Sequence, residues 1–122
     1  MLLSIYPRER LGKELKGHPG AVLIDFPVRP WAKVEGGGAV GREKKQVTEG
    51  GQAIRILEVS PRWNEFEWCS RPHIGYVTSG RLTLEFAGQE RMEVARGRGF
   101  WIPEGCAHKA RCRRATRIFM VG

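Results

Sequence analysis

The sequence predicts a single all-β domain, a double-sheet barrel of jelly-roll type. Sixteen glycines and seven prolines are spread over 122 residues and cut the chain into many short segments. Strand-like runs follow one another at short intervals from residue 21 to residue 121. Helical candidates are few, with Leu11–Leu15 the one stretch that suggests a helical turn. A chain of this length holds one core, and so one domain.

Residues 1–19 are mixed and polar and read as an N-terminal extension, with His18-Pro19-Gly20 as a surface turn. The barrel is assigned to residues 20–122. Its first strand is Ala21–Phe26, closed by Pro27 and Pro30, which cannot donate to a ladder. Gly36-Gly37-Gly38 lacks the lysine and helix of a phosphate-binding loop and reads as a flexible turn. Val40–Val47 runs up to the Thr48-Glu49-Gly50-Gly51 turn, and the β-branched Ala53–Val59 stops at Ser60-Pro61.

Glu65–Cys69 is a short aromatic strand candidate. His73–Thr78 leads to the Ser79-Gly80 turn, with Gly75 and Val77 on the face of His73 and Tyr76 on the other. Arg81–Phe86 alternates most clearly, Leu82, Leu84 and Phe86 against Arg81, Thr83 and Glu85. Ala87-Gly88 is a hairpin turn from which Glu90–Val94 returns. Gly99–Ile102, His108–Arg113 and Arg117–Val121 complete the set. A barrel of this kind has an interior pocket on which inward side chains from several strands converge.

The net charge is +8, and only one aspartate, Asp25, is present. Lys109, Arg111, Arg113, Arg114 and Arg117 face no acid within residues 105–122. Such a cluster suits a polyanion surface or the solvent side of terminal strands. Alternation of Ala110 and Cys112 with Arg111 and Arg113 favours the second, and no nucleic-acid motif is present. Cys69, Cys106 and Cys112 are an odd number without CxxC spacing, as in a reduced, cytoplasmic protein, with a bridge between two of them left open. The longest clear apolar run, Ala21-Val22-Leu23-Ile24, is far below membrane-spanning length, and Met1–Ile5 is too short for a signal-peptide core. No membrane partner is expected.

The most informative stretch is Gly97–His108, which reads G-x5-P-x-G-x2-H. Gly97 and Gly105 can take positive φ, Pro103 ends ladder pairing, and His108 arrives as the next strand begins. This arrangement resembles the second motif of the cupin superfamily. Upstream, Glu67-x-Cys69-x3-His73-x6-Gly80 keeps the spacing of the first cupin motif while every ligand type has changed. Cys112 stands where that family often has asparagine. The resemblance covers residues 40–121 and is tightest at 68–80 and at 97–108, the former similar to a subgroup of small single-domain cupins.

The resemblance implies a cupin-type double-stranded β-helix with a pocket built around His73 and His108. Glu67 and Cys69, two residues apart, would share a strand face and join the two histidines as metal ligands. Nitrogen and sulfur donors favour zinc, iron, nickel or copper over magnesium or calcium. The expected function is that of a divalent-metal-dependent enzyme acting on a small polar metabolite. The alternative is a non-catalytic small-molecule-binding or sensor cupin without a functional metal. A homodimer is expected from the resemblance, with Ala21–Phe26 contributing. Trp63, Phe66, Trp68, Phe100 and Trp101 read as core before ligand contacts. A Cys106–His108 nucleophile pair lacks an orienting third group.

Overall fold

The computed structural model describes residues 21–122; the expected extension at 1–19, with the Leu11–Leu15 turn and His18, lies outside the described residues. Strands β1 (Ala32–Gly36), β2 (Ala39–Val47), β3 (Ala53–Val59), β5 (His73–Ser79), β8 (Gly99–Ile102) and β10 (Thr116–Val121) form a six-stranded sheet. Its order is β1-β2-β3-β10-β5-β8. A second sheet, ordered β4-β9-β6-β7, is built from β4 (Trp63–Asn64), β6 (Arg81–Phe86), β7 (Arg91–Ala95) and β9 (His108–Cys112). All pairings are antiparallel. This is the predicted all-β jelly roll.

The core lies between the sheets. Val59, Val77, Phe100, Ile102 and Ile118 come from the larger sheet, and Trp63, Leu82, Leu84, Val94 and Cys112 from the smaller. Alternation decides which side chains reach it. On β5, Val77 is fully buried, whereas Ile74 and Tyr76 on the opposite parity are exposed, as the sequence predicts. Gly97 and Gly105 adopt φ of 83° and 84°, the region in which a side chain would strain the turn.

Two expected strands are absent. Ala21–Phe26 contributes only an isolated bridge residue, Leu23, and runs into a 3-10 turn over Phe26–Val28 that contains Pro27. Side chains hold this segment where a ladder would otherwise. Lys44 Nζ donates to the Phe26 carbonyl at 2.8 Å, and the Phe26 ring meets Phe119 edge-on at 6.3 Å. Arg42 and Lys44 both lie over the Trp31 ring. Glu65–Cys69 is likewise no strand; pairing stops at Asn64 and resumes for Cys69 alone. Phe66 and Trp68, expected in the core, are consequently exposed, and so is Trp101 on the outer face of β8.

Strand β1 was not expected, since Ala-Lys-Val-Glu-Gly has a single β-branched residue. It forms because Gly37 and Gly38, both at positive φ, close a two-residue hairpin onto β2.

Gly75 is required by its neighbour. A Cβ built there would lie 2.4 Å from the Phe100 ring, which covers the glycine across the β5–β8 pair. Gly75→Ala is expected to destabilise the fold by about 1–3 kcal/mol through overpacking. Combining it with Phe100→Leu should return part of that loss, and denaturant midpoints of the single and double variants are the measurement.

Candidate metal centre

The inner face of the larger sheet is ordered in rows by strand register. Arg55 pairs with Met120, Met120 with Gly75 and Gly75 with Phe100, so these four residues line one row across β3, β10, β5 and β8. His73 sits one inward step along β5, opposite Ile102. The smaller sheet brings His108 to the same space, at the start of β9 and opposite Phe86. Cys69 is delivered by its bridge to His108, whose two hydrogen bonds are 2.8 and 2.9 Å long. Residues paired in this way project on one side of the ladder, so thiol and imidazole become neighbours.

The donor atoms of Cys69, His73 and His108 all lie within 4.8 Å of one another. The Cys69 Sγ is 3.6 Å from His73 Nε2, and the two imidazole centroids are 5.1 Å apart with planes at 85°. His108 is buried, and its Nδ1–H donates to the Cys106 carbonyl at 2.8 Å. That bond leaves the lone pair on Nε2, the tautomer needed for a ligand.

His73 is held neutral. Burial lowers its pKa from 6.5 to about 4, helped by His108, Arg55 and Arg71 and opposed by the Gly122 main chain. These features fit a metal ion. A tetrahedral centre with the usual zinc bond lengths separates a sulfur and a nitrogen ligand by roughly 3.6 Å, which is the thiol–imidazole distance found. A thiolate with two imidazoles suits zinc, iron, nickel or copper.

Of the four expected ligands, three converge and Glu67 does not. It is exposed on the connection between β4 and β5, where no strand alternation operates to turn it inward. Glu35, Glu43 and Glu65 are the carboxylates on the cavity wall, and Glu65 Oε1 accepts from the Ala110 amide at 3.0 Å. Cys112 packs in the core opposite Trp63, and burial raises its thiol to about 11, with Thr116 opposing and Glu65 reinforcing the shift. It acts as a small apolar side chain. Between Cys106 and His108 the contact is the backbone carbonyl on Nδ1, so Cys106 orients the imidazole.

The cavity has a volume of about 310 Å³. Beside the triad it is lined by Phe100, Ile102, Ile118 and Met120, and by the polar pair Arg55 and Glu43, neither of which the motifs flag. Arg55 Nη1 donates to Glu43 Oε1 at 3.1 Å, while its Nε is buried without a partner. The available signal was parity: Arg55 shares the inward face of β3 with Ala53, Leu57 and Val59.

Fold and pocket together define the class of small cupin-type barrels. No protein-family model and no curated protein sequence matches the chain. Solved structures do. The EutQ protein of Clostridium difficile superimposes with a TM-score of 0.64 at 18% identity, over 80% of this chain and 82% of that one. An RmlC-like cupin from Shewanella frigidimarina gives 0.64 at 11% identity, covering 78% and 83%. The polyketide cyclase RemF of Streptomyces resistomycificus gives 0.62 at 23% identity, covering 80% and 75%. The protein is a small domain of cupin fold. Among the described residues no helix is long and apolar enough to cross a membrane.

The depressed pKa of His73 has a pH signature in metal-free protein. Between about pH 6.5 and pH 4 the unfolded chain takes up a proton that the folded ring refuses. Stability contributed by this group is therefore full above pH 6.5 and falls as the solution is acidified toward pH 4. Denaturant titrations in chelator should show His73→Asn losing less stability over that window than the parent. Parallel curves would contradict the assignment.

Proposed function

We propose that the protein binds a divalent transition metal through Cys69, His73 and His108 and uses the centre on a small polar metabolite held in the barrel. The observation that carries this reading is the meeting of three donor side chains from three chain segments within 4.8 Å. Support comes from their chemistry. The His108 tautomer is set by the Cys106 carbonyl, and His73 is neutral across the physiological range. Such an ion supplies Lewis-acid polarisation of a bound oxygen or nitrogen group.

The protein's own residues do the rest. Cys69 and His108 are fixed to each other by two backbone hydrogen bonds, which holds their relative position. Phe100, Ile102 and Ile118 keep one side of the cavity apolar, which strengthens polar contacts made beside it. Arg55 and Arg71 stand close enough to His73 to disfavour its protonation, which keeps the ring available as a ligand.

Cobalt(II) titration of untagged protein is the test. One ion per chain is expected, with a near-ultraviolet thiolate band that Cys69→Ser removes. His73→Ala and His108→Ala should each weaken binding by more than the roughly 100-fold typical of losing a supporting partner, whereas Glu67→Gln should leave it unchanged. A parent that takes up no cobalt, yet is stabilised by metabolites in chelator, would support a metal-free binding protein in its place.

A further inference from the structure

Arg55 is placed unusually for a strand arginine. It stands on the inward parity of β3, opposite Met120, and forms part of the cavity wall. Its guanidinium is mostly buried, with side-chain exposure of 18%. Glu43 engages one edge through Nη1 at 3.1 Å, and the second Glu43 oxygen lies 3.9 Å from Lys45 Nζ. Arg55 Nε is left buried with no acceptor. A guanidinium presents its donors as a planar fork that matches the two oxygens of a carboxylate.

The surroundings select the sign of a partner. The charged groups that bear on His73 are His108, Arg55 and Arg71, and no carboxylate is among them. Of the three carboxylates on the cavity wall, Glu43 is occupied by Arg55 and Glu65 by the Ala110 amide on the other sheet. Glu35 stands on β1, at the far edge of the larger sheet from the β5 strand that carries His73. Apolar surface follows directly in the same row, where Met120, Gly75 and Phe100 continue across the sheet from Arg55. A ligand reaching from Arg55 toward the triad thus meets a guanidinium first and hydrocarbon next. The cavity, about 310 Å³, lies at the small end of ligand sites.

We propose that the barrel takes a small organic carboxylate with an apolar body, its anionic head held by Arg55 beside Cys69, His73 and His108 and its tail against Met120 and Phe100. This rests on the triad-lined cavity being the ligand site, as in the reading above, but requires no ion for the head contact. Arg55 is the residue that sets the preference for an anion.

The experiment is calorimetric titration of the full chain with butyrate, hexanoate and benzoate, each against its neutral amide. It is run once in chelator and once with equimolar cobalt(II). At least one carboxylate should bind about tenfold or more tightly than its amide under both conditions. The Arg55→Met/Glu43→Gln double variant, which leaves no buried carboxylate unpaired, should abolish that preference while keeping the parent's circular dichroism. Arg55→Lys should retain part of it, with a point charge replacing the fork. Equal binding of acids and amides, no binding of any probe, or a preference that survives the double variant would overturn the proposal. A preference seen only with cobalt would assign the head contact to the ion and overturn the role of Arg55. Failure to bind cobalt with the preference intact in chelator would remove the metal reading and leave this one standing.

Discussion

The site depends on one two-bond bridge. Cys69 and His108 exchange both backbone hydrogen bonds, at 2.8 and 2.9 Å, outside any continuous strand. Without it the connection between β4 and β5 would have no reason to present a thiol to the barrel. Adjacent contacts reinforce the junction. The Gly105 amide donates to the Ser70 carbonyl at 2.9 Å, and His73 pairs with Ile102 just before Pro103. The two motif segments are thus fastened to each other at three successive points, and the three donors fall at the seam.

That seam explains what could be read in advance. The resemblance to the two cupin motifs pointed to His73 and His108, and the glycines and proline that carry it also mark where their strands begin and which parity faces inward. Cys69 was reachable from the same resemblance, but on a wrong premise. Its orientation comes from pairing with His108, while the strand parity that placed Glu67 beside it does not exist there. Parity has meaning only where a ladder enforces it. Hence Glu67 is exposed, and the carboxylate this segment brings to the cavity is Glu65, tied to the Ala110 amide. The same distinction accounts for Ala21–Phe26. Its apolar run suggested a strand, yet it packs by side chains on the outer sheet face, where Phe26 meets Phe119.

Surface charge was harder to interpret from sequence, since partners lie far apart along the chain. Arg111 lies 3.5 Å from Glu85 and Arg117 lies 3.3 Å from Glu58, both across neighbouring strands. Lys109 rests 4.3 Å above the exposed Trp68 ring. These pairs sit at or near the surface and add little stability individually. They nevertheless assign three of the five cluster residues, Lys109, Arg111 and Arg117, to separate acidic and aromatic neighbours, whereas the linear sequence shows one uninterrupted block.

The interior carries the opposite economy. Among the described residues, Arg55 Nε, Arg111 Nε and His73 Nδ1 are buried without a well-aligned hydrogen bond; Arg55 and His73 line the cavity and Arg111 does not. Each such group costs about 1–3 kcal/mol when left unsatisfied. A small domain retains few of these, because its net stability is only about 5–15 kcal/mol. Cys112 shows the contrast: deep in the core beside Trp63, its thiol is raised to about 11 and serves as packing. Two of the three residues stand on one cavity wall, next to a thiol and a second imidazole. The barrel surrounds that cavity with paired strands and brings a guanidinium, a thiol and two imidazoles to its wall.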